Sequence, residues 1–595
     1  MPKRFIFGLV AAAALCMPLV ALGDDQQSPA PSAPLETPVP AAGDAALAVL
    51  ADRYYQGEWK FSPTNATTTG VHEYDTLLDP VSPAAIDAEI ASLRATLSNL
   101  QRLDPARMSL DGQTDQRILE ASIQTNMFWL AERPQWRERP SYYTDIAAGG
   151  VYGIMSRAFA PLPQRLKLVI AREKLIPAML AQGEKNLIPA DISQVVATTD
   201  ALDAEGSVDF FAQDVHNVFG SVKDAGLQTQ FEASNAAAIK ALKSYAVFLR
   251  SDVVPKAHGS YAIGAEAYSK LELWQNMVDI PLATLLRVGE ADLAKNKAAF
   301  IATAHAIDRT KTPEQVIALV QQDHPTNDQL IPVAQADLDG LVAFIKTKNI
   351  IDLPAAPIAK VRKTPQFQAQ TSFASMNSPG PLETKATEAY YNVTVVDPNW
   401  TAAQKKQHLE FFNRPGLFVI SLHETYPGHY TNYLYNKAHD LSLIRKLEWN
   451  NAFGEGWAHY DEQMMVDEGL GNGDPRYRLM QLALALQRDC RYVVGIKEHT
   501  QGMTVDQGTA FFMANAYMGR EPSYREAVRG TGDPLYGYYT LGKLMILKLR
   551  ADYQAKQAGS YKLSQFHDEL LSHGDPPLYF ARKFLLGADD KGSLL

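Results

Sequence analysis

Apolar residues recur along this chain at intervals of three and four, and that period restricts what it can fold into more than any other feature. In the segment opened by Ser82-Pro83 they fall at Ile86, Ile90, Leu93, Leu97 and Leu100, one stripe of a helix of about five turns. Proline directly after serine marks a helix start, because the ring's fixed φ suits the first helical position and the hydroxyl suits the cap. The same opening recurs at Thr312-Pro313-Glu314, and Thr504 followed by Gln507 has capping-box spacing. Strand-like alternation is confined to short pieces such as Tyr391 to Val396. The pattern predicts a mainly α, large multi-helix protein with little β-structure.

Length decides how such helices are grouped. A chain of 595 residues, 46% hydrophobic and 21% charged, can bury a large core in two or more lobes. Lys3 and Arg4 precede an apolar run from Phe5 to Leu22, and small residues Ala21 and Gly23 stand before Asp24. This reads as a signal peptide over residues 1–23; Gly8 and Pro18 interrupt the run and argue against a spanning helix. Cys16 is a poor lipidation site, since Leu15 before it is not small. Residues 24–43, rich in proline, alanine and serine, read as a disordered linker. A helical lobe over 44–370 and a second helical lobe over 371–595, carrying the site, are expected to follow, with the boundary in the stretch from Pro365 to Pro381. The expected location is periplasmic or secreted, with no membrane span after signal removal, and the oligomeric state is left open.

A net charge of −10 without any long run of lysine and arginine excludes a phosphate-backbone footprint, so no nucleic acid is expected. With the signal removed, Cys490 has no other cysteine to pair with. No intrachain disulfide can then form, and Cys490 reads as a buried small hydrophobe.

The chemistry concentrates in one place. Leu417-Phe-Val-Ile-Ser-Leu-His423-Glu424 is an apolar helical run that ends in two ionisable residues, whose burial costs several kcal/mol unless each is paired or bound to a metal. Six residues after His423 stands His429, with Pro427 and Gly428 between them. Histidines four apart share a helix face, whereas six residues is about 240° of rotation and would part them. Proline and glycine let the helix bulge and return His429 towards His423. A catalytic zinc takes three protein ligands and keeps one position for water. Glu455 is the best third ligand: it shares a face with His459 and Glu462, which are placed to orient the ligands. His72-Glu73 has no second histidine at metal spacing and reads as structural.

The pattern His423-Glu424-Thr-Tyr-Pro-Gly-His429, followed by Glu455-Gly-Trp-Ala-His-Tyr460, resembles the bacterial "domain of unknown function 885" family, which is grouped with the glutamate-ligated zinc peptidases, the gluzincins. The resemblance extends weakly from Gly70-Val-His-Glu-Tyr-Asp75 to Leu541-Gly542 and Arg550. It implies a two-lobed zincin-like architecture with a central cleft, one Zn2+ held by His423, His429 and Glu455, and Glu424 as the base for the attacking water. It further implies His499 as a histidine near the site and Tyr539 as a donor to an oxyanion. This chain departs from many relatives in having His429-Tyr430 where they carry two histidines, and Gly532-Asp533-Pro534-Leu535 where they commonly carry Pro-Gly-Gln.

The function expected is an exported zinc-dependent hydrolase of peptide (amide) bonds, acting on short peptides in a carboxypeptidase- or dipeptidase-like manner. Arg550 or Arg491 would hold a substrate carboxylate. The other classes kept open are a metal-dependent hydrolase of a non-peptide amide or ester and a non-catalytic binding protein with a structural metal.

Overall fold

In the computed structural model of the protein, residues 42–365 and 372–595 are described. The signal peptide, Cys16 and nearly all of the linker lie outside the described residues, as does part of the Pro365–Pro381 stretch. Helix makes up 71% and strand 2%, so the period-3.6 pattern governs the chain as expected.

The local signals work through the atoms that motivated them. Ser82 caps Pro83–Leu100, its Oγ accepting from the Ala85 N–H at 3.3 Å, and the helix buries Ile86, Ile90, Leu93 and Leu100. Thr312 with Gln315 and Thr504 with Gln507 form full capping boxes that open Pro313–Gln321 and Val505–Ala516. Each cap satisfies backbone donors that have no partner inside the helix and contributes about 1 kcal/mol.

Among the described residues the strands are β1 (Lys360–Lys363), β2 (Ala374–Asn377) and β3 (Tyr390–Val393), in the order β1-β3-β2. β1 runs parallel to β3 with Lys360 opposite Tyr390, and β2 antiparallel with Ala374 opposite Val393. β2 therefore forms one edge of this sheet.

Three apolar clusters hold the helices together. One gathers Leu47, Trp59, Ile86 and Leu93 near the start; a second runs from Leu78 to Ala257. The largest joins Tyr268–Ile351 with the segment from Leu417 to Leu585. The helices on the N-terminal side of the 370/371 boundary read from sequence thus share a core with those that carry the site.

In that cluster the helix Arg414–Glu424 buries Leu417, Val419, Ile420 and Leu422. Each such side chain contributes about 1.5–3 kcal/mol, which offsets the cost of drawing His423 inward at the helix end. Helix Asn451–Asp467 lies against Tyr538–Gln557 across a pair of glycines. A Cβ on Gly456 would stand 2.5 Å from Gly542 Cα, and one on Gly542 would stand 1.7 Å from the Ala452 carbonyl oxygen. Only glycine at both positions permits that approach. Among the described residues no helix is long and apolar enough to cross a membrane.

Candidate metal centre

The helix carrying His423 stops at Glu424, and the next begins at His429. The sequence led us to expect one bulged helix; instead the chain breaks between two helices, turning through Thr425–Gly428 with a cis peptide at Tyr426–Pro427. The turn is tied back by the Gly428 N–H, which donates to the Leu422 carbonyl at 3.1 Å, and by Trp457 Nε1, which donates to the Pro427 carbonyl at 2.9 Å. A Cβ on Gly428 would lie 1.9 Å from the His423 carbonyl oxygen, so glycine is required for this closeness. A break reorients the second imidazole more than a bulge can: the two rings meet edge to face with centroids 4.8 Å apart.

Helix Asn451–Asp467, capped by Asn450, brings the third group. Glu455 Oε2 lies 3.5 Å from His423 Nε2 and 3.3 Å from His429 Nε2. Four donors placed tetrahedrally about 2.0–2.1 Å from one zinc ion would stand about 3.3 Å apart. Glu455 Oε2 is buried yet has no hydrogen-bond partner, because neither imidazole approaches it with hydrogen-bond geometry. Among the described residues, His423, His429 and Glu455 are the one group of three or more histidine, cysteine or acidic side chains whose ligand atoms converge. Two imidazoles and a carboxylate suit zinc, so the residues present fit the ion expected from the sequence.

Charge is arranged to match. Burial alone would lower the His423 pKa, but the Glu455 and Glu462 carboxylates outweigh it and push it up to about 9. Burial would likewise raise Glu455, yet His429 and His423 hold its carboxyl well below the usual range. The carboxylates thus draw positive charge to the point where the three atoms meet. Behind the site Glu462 Oε1 stands 2.8 Å from His423 Nδ1 and 2.8 Å from Arg488 Nη2, while its other oxygen lies 3.3 Å from His459 Nδ1. His459 is fully buried and supports Glu462; burial, then Lys543, lowers its pKa to about 3.

Glu424 Oε2 accepts the backbone N–H of Met376 from β2 at 2.7 Å, which fixes the carboxylate beside His423. The Tyr539 ring stacks 6.4 Å from the His423 ring, and its oxygen accepts from Arg529 Nη2 at 3.3 Å. Arg491, Arg488 and Arg529 stand 5.0, 5.5 and 5.8 Å from the centroid of that same ring.

The other expected residues go elsewhere. His499 shares helix Pro475–Thr500 with Arg488, but eleven residues further along, about 16 Å at 1.5 Å per residue. It is buried, with Nε2 2.8 Å from the Gly530 carbonyl oxygen. Arg550 donates to the hydroxyls of Tyr561 and Tyr460 at 3.0 Å each. Arg491 is near the site but is held by two hydrogen bonds to Glu526, at 2.6 and 2.8 Å. His72 pairs with Asp75 at 2.9 Å and Glu383 at 3.1 Å, a structural tie. Cys490 is buried. Arg488 and Arg529 escaped the sequence reading, since an arginine on an amphipathic helix is by default solvated and no local pattern marks either.

The described helices have counterparts in solved structures. A candidate lipoprotein of unknown function from Shewanella oneidensis is 25% identical, with a TM-score of 0.75 over 91% of this chain and 99% of its own. A candidate lipoprotein from Colwellia psychrerythraea shares the fold at 17% identity, with a TM-score of 0.76 over 92% of this chain and 99% of its own. No curated protein matches. Residues 63–584 match the family described as bacterial protein of unknown function (DUF885), a span that takes in the His423–His429 turn, Glu455 and Tyr539, and the chain therefore belongs to the DUF885 family.

Proposed function

We propose that the protein is an exported, zinc-dependent hydrolase of peptide bonds. The observation that carries this reading is the convergence of His423 Nε2, His429 Nε2 and Glu455 Oε2 directly after a helix that ends in Glu424. A structural metal has no use for an adjacent carboxylate base.

When bound, zinc would acidify water and polarise the scissile carbonyl. The chain's own residues do the rest. Glu424, oriented by the Met376 N–H, takes the proton of the attacking water and passes it to the leaving amine. Glu462 holds the His423 ring by Nδ1, leaving Nε2 to face the ion. The Tyr539 oxygen already accepts from Arg529, so its own proton is free to go to the carbonyl oxygen as charge develops there, worth roughly 3 kcal/mol for one good donor. Export is supported by the basic and apolar residues at the N-terminus and by the name lipoprotein given to both structural relatives.

The test is metal analysis of the wild type beside His423→Ala and Glu424→Gln, coupled to turnover of a mixed peptide library. The expected result is one zinc per chain in the wild type, metal loss in His423→Ala, and retained metal with lost turnover in Glu424→Gln. Retained metal in His423→Ala, or full turnover in Glu424→Gln, would refute the reading.

A further inference from the structure

Three guanidinium groups surround the Tyr539 ring, and they are not equally satisfied. Arg488 stands 2.8 Å from Glu462, and Arg491 is clasped by Glu526; each side chain is 10% exposed. Arg529 is 33% exposed, and its nearest carboxylate, Asp533, is 3.7 Å away and already accepts from the Tyr538 hydroxyl at 3.0 Å. Its hydrogen bond to Tyr539 uses one of five N–H donors. Three like charges around one ring thus face two fully engaged carboxylates and one distant one, leaving positive charge beside the metal centre on the side chain most open to solvent.

We propose that Arg529 receives the C-terminal carboxylate of the substrate, so that a short C-terminal fragment is released; this rests on the peptidase reading above. Tyr539 gives the scale. Its ring centroid is 6.4 Å from that of His423 and 5.8 Å from Arg529 Cζ, so guanidinium and imidazole are within about 12 Å, the reach of about one to three extended residues. The planar fork of arginine matches a carboxylate with two parallel hydrogen bonds, which a lysine cannot reproduce. Because the Tyr539 oxygen takes its hydrogen bond from Arg529, the group that reads the chain end also orients the hydroxyl facing the scissile carbonyl. Substrates lacking the terminal charge would then bind more weakly and meet a less well placed donor.

The test uses the full-length, zinc-loaded protein and two probes, the tripeptide Gly-Phe-Ala and its C-terminal amide. Binding is measured by calorimetry in the Glu424→Gln background with Arg529 intact, Arg529→Gln or Arg529→Lys, zinc content and circular dichroism being checked in each. With Arg529 the free acid should bind at least tenfold more tightly than the amide; Arg529→Gln should reduce the preference to within about twofold at unchanged zinc content, and Arg529→Lys should restore part of it. An acid preference that survives Arg529→Gln means the carboxylate is held by the metal alone, and overturns the proposal, as does equal binding of the two probes or no binding of either. Turnover by the protein with Glu424 intact separates the two readings. Cleavage of the amide as fast as the acid removes the carboxylate site and leaves the peptidase, whereas an Arg529-dependent acid preference without cleavage of any peptide leaves the carboxylate site and removes the peptidase.

Discussion

The Glu462 carboxylate stands 2.8 Å from Nδ1 of His423, across the ring from the nitrogen that faces Glu455 and His429. A carboxylate in that position selects the tautomer with the free lone pair at Nε2 and raises the ring's basicity towards an ion. Glu462→Gln keeps the shape and removes the charge. Zinc affinity, measured by competition with a chelator, should fall about 10–100-fold, and a change of less than twofold would show that the ring is oriented by something else.

The crossing of Gly456 and Gly542 sets where Glu455 lies relative to Tyr539. A methyl group at either position meets backbone, which cannot move aside as a side-chain tip can. Gly542→Ala should lower stability by at least the roughly 1–3 kcal/mol typical of overpacking and reduce zinc affinity with it. Gly57→Ala is the control: a Cβ there meets nothing within 4 Å, so its melting temperature should hold or rise.

Tyr539 and His499 were expected to serve the same reaction, and the fold separates them. Tyr539→Phe should lower kcat by about 10²–10³-fold, the effect of losing one oxyanion donor, with zinc retained. His499→Gln should leave kcat within about twofold, because the residue lies about 16 Å along its helix from Arg488. Steady-state kinetics of the two variants decides; equal losses would contradict this placement.

His72 joins the segment after Gly70 to the loop at Glu383, 311 positions on. Burial would lower its pKa, but hydrogen bonds to Asp75 and Glu383 push it from 6.5 up to about 9. Burial would raise Glu383, but His72 and the Lys385 and Ala386 amides bring it from 4.5 down to about 2. The raised histidine contributes stability that is complete below pH 6.5 and lost as pH rises through 9; the depressed carboxylate contributes stability present above pH 4.5 and lost as pH falls through 2. The stability difference between wild type and His72→Gln, read from thermal unfolding, should therefore be largest between pH 4.5 and 6.5, on the order of 1–2 kcal/mol for a partly exposed charged pair. It should shrink above pH 9, and a gap that stays constant from pH 5 to pH 10 would refute the linkage.

The helices were legible from residue order alone, because apolar periodicity and capping residues act on neighbours three and four positions apart, and the Ser82, Thr312 and Thr504 starts needed nothing distant. Residue order also marked where the candidate site lies, since His423 and Glu424 close an apolar run that requires compensation. That Thr425–Gly428 breaks the helix instead of bulging it depends on long-range packing, because the turn is held by Trp457, thirty residues away. The same packing pairs Arg491 with Glu526 and Arg550 with Tyr561 and Tyr460, and turns His499 to Gly530. Which carboxylate neutralises which guanidinium depends on how whole helix faces meet, and a helix face is the same in sequence whether it meets water, an acid or a metal.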